Sequence, residues 1–281
     1  MEIRDITEAE VAAYQQQEFT LLPKLASQQT VAALRSAVEA RMDDPGPNAD
    51  ELASTGRFFQ EQFVYPDVAV LSDFMHHPTM AHNVARALGS NQVWAYFDHI
   101  FACEPSTPLD YYWHQDLTYW PIDGRQICSI WLALTDCKRE SSALMFVKPR
   151  SESSQLYAQV AFGTNETEGD PSLPPPPQFE QHPDEYDIVS WDYEPGDAVI
   201  FSARVVHSSG GNRSTDQPRI AYSSRWFGDD ALFAVRPGYQ DPTLFPDDDE
   251  HLTPGAPLRS RRFPLVHDPR TQNSPTLSPV I

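Results

Sequence analysis

The 281-residue sequence predicts a mainly β protein with flanking helices around a double-stranded β-helix (jelly-roll) core. Short apolar runs, rich in β-branched and aromatic residues, recur through the middle of the chain and are separated by turn residues, which favours a sandwich or barrel. The 26 Pro residues imply many turns and argue against a helix bundle. Hydrophobic residues make up 40% of the chain, which is enough to form a buried core.

The N-terminal part has helical periodicity. Residues 8–44 follow a 3.6-residue apolar period, interrupted by a short strand at residues 19–23 that ends at a proline. The Asp-Pro-Gly-Pro sequence at 44–47 ends this helical part. A second helix is predicted over residues 79–88, with Gly89 closing its C-terminus.

The core strands follow. The predicted strands cover residues 92–101, 126–134, 143–147, 198–203 and 219–227. We predict a surface loop over residues 165–183, because this stretch holds four consecutive prolines and several acidic residues. An acidic run at 246–250 lies in a Pro-rich tail. The expected organisation is a single domain over residues 1–281, with a helical part at about 1–90, a jelly-roll core at about 91–230 and an irregular tail at 231–281.

Charge and cysteine content restrict the expected partners. The formal net charge of −20 repels phosphate backbones and anionic lipid surfaces, so we expect neither nucleic acid nor membrane as a partner. The three cysteines and the absence of a Cys-x-x-Cys motif argue against a disulfide framework or a structural zinc site. No secretory signal or apolar spanning run is visible, which predicts a cytoplasmic protein. We expect a small-molecule substrate. The sequence does not determine the oligomeric state, for which a homodimer is one option.

Two His-x-Asp triplets occur, and their contexts differ. The first, His114-Gln115-Asp116, sits among aromatic residues just ahead of an apolar strand. On a predicted β-strand His114 and Asp116 lie on the same face, because strand side chains alternate between faces. The second, His182-Pro183-Asp184, follows the polyproline stretch and is flanked by acidic residues. We therefore interpret the second triplet as a solvated loop and the first as a candidate metal site.

A second histidine completes the candidate site. His207 follows a Pro-Gly-Asp turn and an apolar strand, and a glycine turn and an Arg-bearing strand come after it. Two imidazoles and one carboxylate leave adjacent metal positions open, as in non-heme Fe(II) oxygenases. Arg219 begins the next strand and is the candidate to hold the far carboxylate of a 2-oxo acid. Arg213 is its rival, but it lies in a polar turn.

These segments resemble the phytanoyl-CoA dioxygenase (PhyH-like) family of Fe(II)/2-oxoglutarate-dependent oxygenases, which have a cupin-like jelly-roll core. The resemblance spans about residues 14–264. It is carried by Trp113-His114-Gln115-Asp116-Leu117, Trp131-Leu132-Ala133-Leu134, Gly196-Asp197, His207-Ser208-Ser209-Gly210-Gly211-Asn212-Arg213-Ser214 and Pro218-Arg219. It implies a non-heme iron dioxygenase that consumes O2 and 2-oxoglutarate and releases CO2 and succinate.

The resemblance also implies roles for particular residues. His114, Asp116 and His207 are the expected catalytic iron ligands. The expected 2-oxoglutarate-binding residues are Arg219 and Ser209, which bind the C5 carboxylate, and Trp131, which lines the co-substrate pocket. Related halogenases replace the carboxylate ligand with a small residue, so the intact Asp116 favours hydroxylation.

Two departures from the family pattern are visible. Many relatives carry a lysine that helps to hold the co-substrate where this chain has Cys103-Glu104-Pro105. The usual Pro-Gly-Ser-His turn is replaced here at residues 148–152. We expect Cys103 either to alter contacts near the open metal position or simply to pack.

The sequence leaves the substrate and the product open. A small or medium-sized organic metabolite, as in secondary metabolism, is the preferred expectation, with Arg57 and Arg225 as candidates to recognise a substrate carboxylate. Four aromatic residues either cover the site mouth or pack the N-terminal helices onto the barrel. These residues are Phe58, Phe59, Phe63 and Tyr65. The alternatives are desaturation, epoxidation or ring formation by the same cofactors, a non-catalytic metal-binding jelly roll, and a metal-dependent hydrolase or isomerase.

Overall fold

The computed structural model describes residues 1–51, 55–108, 112–139, 142–149, 155–161, 166–242 and 252–272. The acidic run predicted at 246–250 and most of the replaced turn at 148–152 lie outside these residues, as does the first residue of the loop predicted at 165–183.

The helices lie mainly at the N-terminal end of the chain. The described helices are α1 (Glu8–Gln17), α2 (Gln28–Asp43), α3 (Ala69–Met75), α4 (Pro78–Leu88) and the single turn α5 (Pro269–Gln272). Helix α1 begins in a capping box between Thr7 and Glu10. Helix α4 ends at Gly89 in the left-handed conformation (φ 62°), as the sequence predicted. The seven-residue α3 was not predicted, because it is too short to show a clear period. Among the described helices, none has the length and apolar character needed to cross a bilayer.

Two antiparallel sheets face each other across the core. The described strands are β1 (Phe19–Leu22), β2 (Ala49–Glu51), β3 (Phe58–Gln62), β4 (Val93–Cys103), β5 (Ile122–Asp123), β6 (Ile127–Ala133), β7 (Leu144–Val147), β8 (Gln159–Val160), β9 (Thr167–Glu168), β10 (Ile188–Ser190), β11 (Ala198–Ser202), β12 (His207–Ser209), β13 (Arg219–Phe227), β14 (Leu232–Phe233) and β15 (Leu265–His267). The larger sheet has the order β1-β11-β6-β13-β4-β3-β2, with β15 also paired to β4, and the smaller sheet has the order β10-β7-β12. This arrangement confirms the predicted double-stranded β-helix (jelly-roll) core.

The central strands of the larger sheet are buried on both faces. In β6, Ile130 and Leu132 join the cluster formed with the N-terminal helices, while Trp131 and Ala133 join the cluster between the two sheets. Such double burial explains why β6 is a continuous apolar run with no alternation. The helices therefore cover the outer face of the sheet, and its inner face is free to line a cavity.

Two predicted irregular segments carry more structure than expected. The tail after residue 231 was predicted to be irregular, but β14 pairs with β5, and β15 pairs with β4 of the larger sheet. Within the predicted loop, Phe179 is buried, and Glu180 accepts a hydrogen bond from Trp113 Nε1 at 2.5 Å. Isolated pairing partners of this kind leave no periodic signal in the sequence.

Asp98 is a fully buried carboxylate on β4 that connects three parts of the fold. Its two oxygens accept hydrogen bonds from the Val64 backbone N–H at 2.7 Å and from the Tyr222 hydroxyl at 2.9 Å. Burial raises the pKa of Asp98 from its ordinary value of 3.8 to about 6, although these hydrogen bonds oppose the shift. The folded protein therefore holds this proton more tightly than the unfolded chain does between about pH 4 and 6.

The raised pKa of Asp98 predicts a pH dependence of stability. The contribution of this group to the free energy of unfolding is fully present below about pH 4 and falls by about 3 kcal/mol as the pH rises through 6. Asp98→Asn removes that titration, so its free energy of unfolding should rise relative to wild type by about this amount between pH 4 and 7. Urea denaturation of both proteins across this range measures the difference. A difference that stays constant with pH would contradict the assignment, and Asp73→Asn, which removes an exposed carboxylate, is the control.

Candidate metal centre

A single antiparallel bridge places the two candidate histidines side by side. The backbone N–H of His114 donates to the carbonyl of His207 at 3.0 Å, and the N–H of His207 donates to the carbonyl of His114 at 2.9 Å. Their rings lie 4.3 Å apart between centroids. The fold thus brings together His114, which precedes the apolar strand β6, and His207, which follows β11.

Asp116 reaches the same point by a different local structure from the one predicted. We predicted that His114 and Asp116 share a strand, but Asp116 begins a 3-10 turn that ends at Thr118. Gln115 between them is extended (φ −120°, ψ 130°), so the alternation of side chains still holds there. The Gln115 amide points the other way and donates to two backbone carbonyls, those of Gln155 and Arg204.

Hydrogen bonds fix the orientation of all three side chains. The Nδ1 atom of His114 lies 2.8 Å from the Tyr112 carbonyl, and that of His207 lies 3.0 Å from the Val205 carbonyl. Because a carbonyl only accepts, each Nδ1 carries the proton and each Nε2 has a free lone pair. Asp116 Oδ2 accepts from the Ser129 hydroxyl at 3.1 Å, which leaves Oδ1 to face the imidazoles.

The donor set suits a divalent metal of intermediate softness. One ligand atom from each of His114, Asp116 and His207 lies within 4.8 Å of the others, and this is the one such group of three among the described residues. Burial, with His114 nearby, lowers the pKa of His207 to about 4, so its imidazole is neutral at pH 7 and able to bind metal. Two neutral imidazoles and one carboxylate fit Fe(II) with positions left open.

The three side chains lie on the wall of a cavity of about 290 Å³ between the two sheets. Arg219, Ser209 and Trp131 line the same cavity, so the fold brings together the whole set of site residues predicted from the sequence. Arg219 is buried, and its guanidinium carbon lies 5.8 Å from the centre of the Phe58 ring. Its Nε and Nη2 have no hydrogen-bond partner within the described chain. An unpaired buried cation of this kind marks a place for an anionic ligand.

The other cationic candidates are divided between the cavity and the surface. Arg225 lines the cavity, whereas Arg57 pairs with Glu51 at 2.8 Å on the edge of the larger sheet. Arg213 is exposed on the turn between β12 and β13. Cys103 is buried directly opposite Arg219 in the sheet register, so its replacement of the usual lysine changes the immediate surroundings of Arg219.

The aromatic cluster predicted around residues 58–65 is mainly a packing feature. Phe58 and Phe59 are fully buried, and Phe59 packs with the N-terminal helices. The side chains of the same strand that reach the cavity are Gln60 and Gln62. Of the two alternatives stated for this cluster, packing onto the barrel is therefore the one that the contacts favour.

Sequence reasoning missed four acidic or basic groups of the cavity wall, which are Asp50, His99, Glu168 and Asp241. His99 on β4 and Asp241 beyond β14 both line the cavity. Burial raises the pKa of Asp241 to about 7, although Arg225 opposes that shift. The alternation of β4 was a usable signal for His99, because Phe101 two residues later faces the same cavity. Asp241 gave no signal, since it comes from a segment predicted to be irregular.

Solved structures with the same fold include several non-heme enzymes. The carbocyclase SnoK from nogalamycin biosynthesis, described as non-heme and alpha-ketoglutarate dependent, is 24% identical, with 93% of this chain and 96% of that chain covered and a TM-score of 0.71. The epimerase SnoN from the same biosynthesis is 20% identical, covering 92% and 98%, with a TM-score of 0.68. EctD from S. alaskensis with 2-oxoglutarate and 5-hydroxyectoine is 16% identical, covering 90% and 86%, with a TM-score of 0.67. At these identities the likeness establishes the fold.

The family follows from the sequence match. No curated protein sequence gave a match. The family model for phytanoyl-CoA dioxygenase (PhyH) matches residues 14–221, which include His114, Asp116, His207 and Arg219, whereas Arg225 lies beyond the matched region. The match covers most of the chain and agrees with the jelly-roll core and with the arrangement of the three candidate ligands. The chain therefore belongs to the phytanoyl-CoA dioxygenase (PhyH) family.

Proposed function

We propose that this protein is an Fe(II)- and 2-oxoglutarate-dependent dioxygenase that oxidises, most simply by hydroxylation, a small or medium-sized organic metabolite. The observation that carries the proposal is the convergence of two Nε2 atoms and one carboxylate oxygen on a cavity that also holds an unpaired arginine. The bound iron and 2-oxoglutarate supply the oxidising chemistry, consuming O2 and releasing CO2 and succinate.

The chain's own residues bind and orient the reactants. His114, Asp116 and His207 hold the metal, and the carbonyl bonds at both Nδ1 atoms together with Ser129 keep these ligands in place. Arg219 and Ser209 bind the C5 carboxylate of 2-oxoglutarate, where the guanidinium offers charge-assisted hydrogen bonds. Arg219 also explains how a chain of net charge −20 attracts a dianion, because a local buried cation overrides the global field.

The cavity walls favour an organic substrate with a ring or an apolar body. Aromatic side chains from several elements, including Tyr112, Tyr119, Trp120 and Phe101, line the space next to the metal centre. A volume of about 290 Å³ lies near the lower end of ligand pockets, which span roughly 300 to 1,000 Å³. Such walls exclude water and place an apolar C–H bond near the metal.

The outcome of the oxidation is a separate question from the cofactor chemistry. Desaturation, epoxidation and ring formation use the same ligand set, and the relatives of this fold include proteins described as a carbocyclase and an epimerase. A non-catalytic binding module has no use for an unpaired, buried Arg219. A metal-dependent hydrolase or isomerase likewise needs no co-substrate arginine.

An anaerobic optical titration tests the proposal. Fe(II) added to metal-free protein should give no visible band, and subsequent 2-oxoglutarate should give a weak metal-to-ligand charge-transfer band at one equivalent of each. On admission of O2, the protein should slowly convert 2-oxoglutarate to succinate even without substrate. Iron binding by the folded protein with neither the band nor succinate formation would contradict the proposed function.

A further inference from the structure

A second group of buried polar atoms lines the cavity at a distance from Arg219. Arg225 lies six residues after Arg219 on β13, about 20 Å further along an extended strand. It stands opposite Ser129 of β6, the residue whose hydroxyl bonds Asp116. The two arginines therefore occupy different ends of the cavity wall, and a five-carbon diacid that binds Arg219 leaves Arg225 available for another ligand.

The hydrogen bonds of Arg225 and His99 leave several donors without a partner. Arg225 Nη2 lies 3.3 Å from His99 Nδ1, and a guanidinium only donates, so Nδ1 is the acceptor. Burial and the nearby guanidinium lower the pKa of His99 well below its usual range, so the ring is neutral and its proton lies on Nε2. Within the described chain, Arg225 Nε and Nη1 and His99 Nε2 are buried donors with no acceptor.

Asp241 contributes an unpaired acceptor to the same cavity. Its Oδ1 is buried and has no hydrogen-bond partner in the part of the chain that the structure describes. The segment that carries it is firmly held, because the Asp241 N–H donates to the Tyr119 carbonyl at 2.9 Å and the Gln159 amide bonds both the N–H and the carbonyl of Tyr239. Arg225 Nε and Nη1 therefore do not hydrogen-bond to Asp241 Oδ1.

Packing holds the Arg225 guanidinium in place without using its unpaired N–H groups. Its central carbon lies 4.5 Å from the centre of the Phe97 ring and 5.4 Å from that of Trp120. Such cation–π contacts stabilise the cation but satisfy no hydrogen bond. A buried donor or acceptor left without a partner is destabilising, so this group of atoms indicates a position that binds a polar ligand.

The charges select the kind of group that fits. A carboxylate would accept hydrogen bonds from Arg225 and His99, but it would bring a second negative charge beside Asp241. An ammonium would donate to Asp241, but the positive charge of Arg225 would repel it. A hydroxyl both accepts and donates, so it can pair with both sides. It also serves Asp241 in either protonation state, as a donor to the carboxylate or an acceptor from the acid.

We propose that Arg225, His99 and Asp241 form a substrate subsite that binds a hydroxyl group of an uncharged, ring-bearing substrate. This inference rests on the proposed function and specifies its substrate class. The hydroxyl oxygen accepts from Arg225 or His99, its proton is donated to Asp241, and the ring lies against Tyr119 and Trp120. The polar anchor fixes which C–H bond of the ring system faces the metal centre.

Three ring-matched probes test the subsite by binding alone. Isothermal titration calorimetry at pH 7.5 under anaerobic conditions, with Fe(II) and 2-oxoglutarate present, compares 2-naphthol, 2-naphthoate and 2-naphthylmethylammonium. Wild type should bind 2-naphthol about tenfold more tightly than either ion, because each ion meets a like charge. A preference for 2-naphthoate, or no binding of 2-naphthol up to its solubility limit, would overturn the proposal.

Two variants should change the preference in opposite directions. In Asp241→Asn, 2-naphthoate should gain about tenfold relative to 2-naphthol, because the like charge is gone. In Arg225→Met the ammonium probe should gain instead. If Arg225→Met does not fold, Arg225→Lys, which keeps the charge but loses the guanidinium donors, should bind 2-naphthol more weakly while still disfavouring the ammonium.

The controls separate this inference from the proposed function. Arg57→Met removes an arginine outside the cavity and should leave the order of the three probes unchanged. The charge-transfer band should persist in Asp241→Asn, because the three candidate iron ligands and Arg219 are unchanged. An unchanged order of probes in Asp241→Asn with the band intact would overturn the subsite alone, whereas absence of the band in wild type would overturn the proposed function.

Discussion

His207→Ala is expected to abolish the metal centre while leaving the fold intact. The variant removes one of three ligand atoms, and the remaining His114 and Asp116 form an incomplete site, so Fe(II) affinity should fall by at least about 100-fold. The charge-transfer band with 2-oxoglutarate and the formation of succinate should disappear together. Equilibrium dialysis with iron analysis and the anaerobic titration measure the two effects independently.

The chain provides a matched control for this variant. His182 belongs to the second His-x-Asp triplet and is exposed, with its Nδ1 atom 3.8 Å from the Glu185 carboxylate. His182→Ala should retain full iron binding and a normal band. Retention of the band in His207→Ala, in a protein shown to be folded, would rule out His207 as a ligand. Equal loss in both variants would indicate that the effect is not specific to the cavity.

The contrast between the two triplets shows what the sequence encodes locally. The flanking residues of each triplet were enough to distinguish a buried position from a solvated one, because apolar strands and polyproline stretches have different periods. The pairing of His114 with His207 was predicted from the order of segments around His207, and the family resemblance then supported it. No local pattern states which distant strand lies next to which, since that choice depends on packing of the whole sheet.

The candidate subsite marks the limit of prediction from sequence. Arg225 was visible as a charged residue in an apolar strand, but its partners come from β4 and from the segment after β14. The Asp241 N–H donates to the Tyr119 carbonyl, and the Gln159 side-chain amide bonds the backbone of nearby Tyr239, and neither contact involves a periodic pattern. Contacts of this kind arise from the folded arrangement alone, so the substrate specificity was less predictable than the cofactor site.

Arg219→Ala is expected to separate co-substrate binding from metal binding. Loss of the charge-assisted hydrogen bonds to a buried carboxylate should cost about 3 to 4 kcal/mol, which lowers 2-oxoglutarate affinity about 100- to 1,000-fold. Fe(II) affinity should stay near the wild-type value, because none of the three ligand atoms is removed. The anaerobic titration should then require correspondingly more 2-oxoglutarate to produce the band.

A second co-substrate identifies the group that Arg219 binds. 2-Oxobutyrate keeps the 2-oxo acid but lacks the distal carboxylate, so wild type should bind it about 100-fold or more weakly than 2-oxoglutarate. In Arg219→Ala that ratio should collapse towards one, as a thermodynamic cycle requires when the two groups interact directly. Arg213→Ala, which removes an exposed arginine on the neighbouring turn, should keep the wild-type ratio. If Arg219→Ala weakened both co-substrates equally, Arg219 would act on the shape of the cavity and would not bind the distal carboxylate.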